Sequence, residues 1–228
     1  KTNVIGAENL IEACLDKKVS NVISLSTDKA VSPINLYGAT KLCAEKLFIA
    51  ANNVKGWRKI KFSVVRYGNV VGSRGSVIPY FLEKKKTGSL PITDLKMTRF
   101  NMKLEEAVEM VLWSIKNNKG GEIFVPKLPS YKILDLAKSI DQKCKVQIVG
   151  IRPGEKIEEK LITSAESLNC YDLKKYFAII GVQDKNLKNY YYKNFKKVKQ
   201  GFSYSSGKNK DFLKINTLKK IIKDFEKK

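Results

Sequence analysis

Histidine is absent from all 228 residues, which removes histidine-based triads, the H-E-x-x-H zinc site and every imidazole general base. Proton transfer in this chain must fall to Tyr, Lys, Asp or Glu. Cysteine is scarce: Cys14, Cys43, Cys144 and Cys170 show no C-x-x-C spacing, so neither a zinc site nor a disulfide framework is indicated, and no metal is expected. Such scatter suits a reducing cytoplasm. Long apolar runs are missing too, the stretch 176–182 being far below the roughly 20 residues of a membrane span, and no membrane association is expected. The start, Lys1-Thr2-Asn3, has neither an initiator Met nor a charged-then-apolar secretion signal. We expect the chain to begin within a longer protein.

Arginine is the other rarity. Only five of the 44 basic residues are Arg, at 58, 66, 74, 99 and 152, so the net charge of +22 is a lysine charge. A charge of that size can serve nucleic acid. Here the lysines are spread along the whole sequence, as on a solvated surface, and no nucleic-acid partner is expected. One segment, 185–199 with Tyr190-Tyr191-Tyr192 inside it, has the mixture of charge and stacking groups that a single strand would use. What the chain holds in quantity is apolar residues, 43%, enough for a real core.

Periodicity predicts a helix over 3–18, a buried strand over 19–26, a helix over 37–53, a strand over 61–68 and a helix over 77–86 opened by Ser76. That alternation indicates an α/β fold with a doubly wound, Rossmann-type parallel sheet. Beyond residue 88 the pieces shorten: strands in 90–93 and 97–102, a helix over 103–117, a strand over 121–125, a helix over 131–141 and a strand over 145–149. We read 1–88 as sheet domain and 89–228 mainly as a smaller α+β lobe, with some segments returning to the sheet. The polar segment 183–210 reads as a loop, before a closing amphipathic helix over 216–226.

The chemistry gathers near the front. Tyr37 and Lys41 stand four apart at the start of a helix and share one face, so the ammonium can stabilise the phenolate. A phenol with a free pKa of about 10 can then act as a base near neutral pH. Just upstream, Ser26-Thr27-Asp28-Lys29 closes the first strand.

A strand ending in Ser-Thr-Asp-Lys, followed by a helix opening on Tyr-x-x-x-Lys, resembles the active site of the extended short-chain dehydrogenase/reductase superfamily. Five more stretches carry the resemblance further: RYGNVVGSRGSVIPYF at 66–81, LPITDLKMTRF at 90–100, GGEIFVPKLPS at 120–130, GIRPGEK at 150–156 and SYSSGKNKDFL at 203–213. Together they resemble the nucleotide-sugar 4,6-dehydratases, specifically the short, configuration-inverting UDP-N-acetylglucosamine type of flagellin and surface-glycan pathways. Tyr at 37, where larger membrane-anchored relatives carry Met, favours that type.

The resemblance implies a hydro-lyase with a tightly bound NADP or NAD, regenerated in each cycle, and a homo-oligomer. Tyr37 would take the proton of the sugar C4 hydroxyl, with Lys41 lowering its pKa and holding the cofactor ribose. Ser26, Tyr67 and Gly68 would line the cofactor. Lys29 would be the base at C5, Asp28 the acid for the departing C6 hydroxyl, and Thr27 a hydrogen-bonding partner near C4. Asn69, Arg74, Thr93, Arg99, Arg152 and Glu155 would hold the UDP-sugar, although Arg74 sits in a Gly-flanked turn and could equally be structural. Four of the five arginines, 66, 74, 99 and 152, stand in the matched stretches, where a planar fork suits a diphosphate.

The chain also departs from that family. Asn101-Met102-Lys103 stands where Trp-Ile-Thr is usual, and Glu158 where His is common. Gly68, Gly72 and Gly75 form no G-x-G-x-x-G, so the pyrophosphate turn would have to lie ahead of Lys1. On this expectation the chain alone neither holds cofactor nor turns over, and the strand at 19–26 has an open flank. Two alternatives stay open: a nucleotide-sugar 4-epimerase, which needs Tyr37 and Lys41 but not Asp28 and Lys29, and a non-catalytic module for nucleotide or nucleic acid.

Overall fold

The computed structural model describes residues 1–73 and 75–227, so Arg74 lies outside the described residues. Its helices are α1 (Ile5–Asp16), α2 (Leu36–Val54), α3 (Val77–Lys85), α4 (Leu104–Asn117), α5 (Ile133–Ile140), α6 (Lys185–Asn194) and α7 (Ile215–Glu226). Its strands are β1 (Asn21–Thr27), β2 (Lys61–Tyr67), β3 (Ser89–Ile92), β4 (Thr98–Phe100), β5 (Glu122–Pro126), β6 (Ser130–Lys132), β7 (Lys145–Ile148), β8 (Lys160–Ile162), β9 (Cys170–Asp172), β10 (Tyr176–Ile180), β11 (Lys196–Lys197) and β12 (Tyr204–Ser205). The chain gathers into two compact units, one from 1–67, 105–127 and 160–204, the other from 68–104, 128–159 and 205 onward.

The first unit is built on a six-stranded sheet in the order β1-β2-β5-β10-β9-β11. β1, β2 and β5 run parallel, with β1 and β2 in register from Asn21↔Lys61 to Thr27↔Tyr67. Phe62, Val64 and Val65 of β2 and Ile123, Phe124 and Val125 of β5 are buried without alternation, as in strands covered on both faces. The sheet is therefore parallel where the α/β reading placed it, and β1 forms its edge. Beyond β5 it turns antiparallel through β10, β9 and β11. β10 comes from the apolar run that sequence reading weighed only against a membrane span; every one of its residues is buried. Among the described residues no helix is long and apolar enough to cross a membrane.

One expectation is overturned. The segment 183–210, read as a loop, contains α6, whose Asp184 cap accepts from the backbone N–H groups of Asn186 and Leu187 at 2.8 and 3.0 Å. Its buried stripe is only Leu187 and Tyr191, four apart and flanked by polar residues, too thin to register as a helical period. Tyr191 is no stacking platform. It packs inward and donates to Glu122 at 3.1 Å, and Glu122, wholly buried, also receives Ser63 Oγ at 2.8 Å and the N–H groups of Lys119 and Gly120 at 2.8 and 2.9 Å.

The second unit pairs β3 with β7 in parallel and β4 with β6 antiparallel. Ile78 and Phe81 of α3, Leu90 and Ile92 of β3, Leu136 of α5 and Ile222 of α7 meet in its core. Ser76 occupies the cap position of α3 with extended backbone, but its hydroxyl makes no capping bond. Gly72 has φ +74°, and a Cβ there would overlap the Phe225 ring, so only glycine fits that turn.

Candidate active site

In the first unit, β1 ends at Thr27 and the chain turns at once into one turn of 3-10 helix, Asp28–Ala30. The Thr27 hydroxyl accepts from the Lys29 N–H at 3.3 Å, capping that turn, and donates to Asp28 Oδ1 at 2.9 Å. Lys29 Nζ donates to the same oxygen at 3.1 Å. Asp28 is wholly buried, whereas the Lys29 side chain is about a third exposed. The other carboxyl oxygen, Oδ2, is buried with no hydrogen-bond partner among the described residues. An orphaned buried acceptor is costly unless something pairs with it.

Helix α2 begins against this turn. Asn35 caps it, accepting from the Gly38 N–H at 2.8 Å. A side chain at 38 would overlap the Lys29 carbonyl oxygen and stand 3.0 Å from Pro33 Cβ, so glycine lets the helix start rest on the Asp28–Ala30 turn. That approach places Tyr37 beside the polar strand end. Tyr37 is 51% exposed. One turn on, Lys41 donates to the Leu25 carbonyl oxygen at 2.6 Å. Partial burial pushes the Lys41 pKa below the ordinary lysine value, opposed by the negative charge of Glu45. Across from them Tyr67 ends β2; burial pushes its phenol pKa up, and nearby Tyr37 adds to the rise.

Beneath these groups lies a charged network that sequence reasoning missed. Ser26 is buried, and its hydroxyl donates to Glu45 Oε2 at 2.9 Å. Arg66, counted from sequence among the forks suited to diphosphate, is 1% exposed and spends its fork on protein. Nε bonds Glu45 Oε2 at 3.0 Å, Nη2 bonds Glu45 Oε1 and, at 2.9 Å, Glu166 Oε1, and Nη1 bonds the Leu161 carbonyl at 2.9 Å. Burial alone would push the Glu166 pKa up, but the Arg66 guanidinium and the Thr163 donors bring it below the usual carboxylate range. The signal was present as Lys41-x-x-x-Glu45, one more turn along the Tyr37 face.

The candidate substrate residues fall in the second unit. Arg99, on β4, donates through Nη1 to the carbonyls of Thr98 at 2.7 Å and Ile157 at 3.2 Å, and its Nε lies 3.8 Å from Glu159 Oε1. Arg152 is exposed and Glu155 half-buried, joined in a turn where the Glu155 N–H donates to the Arg152 carbonyl at 3.0 Å. Thr93, after β3, and Asn69, after β2, are half-buried; Gly68 is buried. Glu158 accepts from Ser205 Oγ at 3.1 Å, and Ser206 Oγ lies 2.8 Å from Thr98 Oγ1, so the Ser-Ser of the 203–213 stretch is wired into the same unit.

Residues 1–181 match the family model described as Polysaccharide biosynthesis protein. The chain is 48% identical over 234 aligned residues to a UDP-N-acetylglucosamine 4,6-dehydratase (inverting) of Campylobacter jejuni, covering 99% of this chain and 70% of that protein. It is 41% identical over 227 residues to a UDP-glucose 4-epimerase of Rickettsia massiliae, covering 97% and 66%. The X-ray structure of Pen from Bacillus thuringiensis superposes with a TM-score of 0.87 at 36% identity, over 99% of this chain and 69% of that one.

Proposed function

The chain belongs to the polysaccharide biosynthesis protein family, and from that premise we propose that it carries the proton-transfer and substrate machinery of a nucleotide-sugar 4,6-dehydratase acting on UDP-N-acetylglucosamine. The observation that carries this reading is the Thr27-Asp28-Lys29 cluster beside Tyr37: a second acid–base pair, adjoining the first, on the end of a parallel strand.

The donor set fits the nicotinamide-ribose end of a dinucleotide: a half-exposed phenol and an ammonium on one helix face, at the carboxyl end of two parallel strands. Bound there, a nicotinamide dinucleotide supplies the acceptor and later donor of the hydride that leaves sugar C4 and returns at C6. The chain's own residues handle the protons of oxidation and elimination. Tyr37, as phenolate, takes the C4 hydroxyl proton, and the Lys41 ammonium steadies that phenolate. Thr27 orients the C4 oxygen.

Once C4 is a ketone, the C5 hydrogen is acidic, and loss of water across C5–C6 needs a base at C5 and an acid at C6. Lys29 and Asp28 meet at 3.1 Å. A proton passed from the ammonium to the carboxylate converts their ion pair into a neutral amine and a carboxylic acid. Lys29 then removes the C5 proton while Asp28 protonates the departing C6 hydroxyl. Oδ2, buried and without a partner, is the oxygen that pairing with a substrate would satisfy. A proton from solvent delivered to the opposite face of C5 inverts it; the Lys29–Asp28 pair is by then back in its starting form, and Tyr37 returns its proton to solvent. In the second unit Arg99, Arg152, Thr93, Asn69 and Glu155 would bind the UDP portion.

The Rickettsia relative favours a second reading, 4-epimerisation, which uses Tyr37 and Lys41 alone. Product mass decides: the complete polypeptide, given UDP-N-acetylglucosamine and NAD or NADP, should yield a product lighter by one water. An unchanged mass with an inverted C4 would establish the epimerase instead.

A further inference from the structure

We propose that Glu45 is a positioning residue of this site: its buried carboxylate, gripped by Arg66 and the Ser26 hydroxyl, locks α2 onto the ends of β1 and β2 and sets a negative charge one helical turn beyond Lys41. The proposal rests on the roles of Tyr37 and Lys41 given above.

Tyr37, Lys41 and Glu45 follow one another at four-residue steps on one face of α2. The first reaches solvent, the second is half-buried, the third is 1% exposed. A carboxylate taken out of water and left alone is strongly destabilising, so its partners decide whether the helix can sit there at all. Ser26 and Arg66 are register partners on β1 and β2, so both side chains leave the sheet on the same face and meet Glu45 together. Each is the last residue but one of its strand, immediately before Thr27 and Tyr67. A slip of α2 along the strands would break all three bonds to Glu45.

Arg66 is itself anchored, by Glu166 and by the Leu161 carbonyl, which makes the clamp stiff. Two carboxylates around one guanidinium leave a net negative charge in the buried layer under α2. The groove flanking Lys41 on the α1 and β1 side is lined by groups such as Asn3, Ala7, Leu10, Ser24 and Leu25, and among the described residues Lys41 is its one ionisable side chain. Among the described residues, ionisable groups on α2 and on the elements packed against it include Tyr37 and Glu45 on α2, Tyr67 at the end of β2, and the Asp28–Lys29 pair, which sums to neutrality, on the turn packed against α2. Glu45 is thus the charge that offsets the burial of the Lys41 ammonium.

The test compares the complete polypeptide with Glu45→Gln. The pH midpoint for acetylation of the Lys41 amine by acetic anhydride, read by peptide mass spectrometry, should fall by about half a unit or more in Glu45→Gln. In parallel kcat should fall at least about tenfold with KM within about twofold, because orientation and not substrate binding is lost. An unmoved midpoint overturns the proposal and leaves Glu45 a purely structural clamp. If Glu45→Gln does not fold, Glu45→Asp decides: it keeps the charge but draws it back by one methylene, so a midpoint near the parent's with a lowered kcat supports the proposal, and parental kcat overturns it. Failure of the parent protein to release water from UDP-N-acetylglucosamine would sink the reaction assigned above, while the labelling midpoint still decides the role of Glu45.

Discussion

Replacing Gly38 by alanine sets two opposing effects against each other at the point where α2 meets the strand end. Alanine is the better helix former, by about 1 kcal/mol in an unencumbered helix. At 38, however, the new methyl would overlap the Lys29 carbonyl oxygen, with the Lys29 carbonyl carbon 3.1 Å away and Pro33 Cβ 3.0 Å away. Two of these atoms are backbone and the third belongs to a rigid ring. None can rotate aside, so the helix start must retreat by roughly 1 Å to restore normal contact distances. Overpacking of that kind costs about 1–3 kcal/mol, which outweighs the gain in propensity and leaves a net loss. The retreat carries Tyr37 away from Thr27, Asp28 and Lys29, and a displacement of about 1 Å is worth about 100-fold in rate. Urea unfolding followed by circular dichroism, together with kcat, measures both effects. Gly6 in α1 is the control: nothing lies within 4 Å of a Cβ there, so Gly6→Ala should stabilise by about 0.5–1 kcal/mol and leave kcat alone. If Gly38→Ala is as stable as the parent and turns over within twofold, the close approach of α2 to the turn plays no part in assembling the site.

Further outcomes follow from individual contacts. Asp28→Asn should slow elimination by about 100- to 10,000-fold while C4 oxidation, read as transient nicotinamide reduction, persists; equal loss of both would remove Asp28 from the acid's role. Because burial holds the Lys41 pKa below its unfolded value, the unfolded chain binds more protons in the interval between the two, so stability should rise with pH on the alkaline approach to the ordinary lysine pKa of about 10.4. Urea midpoints across that range should show the slope, and Lys41→Met should flatten it. Catalysis moves the other way, falling as pH rises and the ammonium that steadies the Tyr37 phenolate is lost. Tyr191→Phe removes one donor from the buried Glu122 and should cost about 1–3 kcal/mol, whereas Tyr192→Phe, at a side chain 73% exposed, should stay within about 0.5 kcal/mol. Equal effects in thermal unfolding would deny Tyr191 its place in the core.

Local spacing made part of this molecule legible. The four-residue step from Tyr37 to Lys41, the polar run closing β1 and the alternation of helical and β-branched segments all act within one element or between neighbours. Sequence alone therefore determined that Tyr37 and Lys41 stand one turn apart on α2, that β1 and β2 are parallel, and that histidine chemistry is excluded. It failed where a residue's meaning depends on a distant partner. Arg66 looked like a phosphate fork until burial set it between Glu45, 21 positions before it, and Glu166, 100 positions after. The stripe of α6 was too thin to read until Tyr191 found Glu122, 69 positions away. The run 176–182 showed only that it was apolar; that it would pair antiparallel with β5 is a property of the sheet. Tertiary structure alone decided which charged groups are buried and with what, because the cost of burying a charge is set by the partners that packing brings to it.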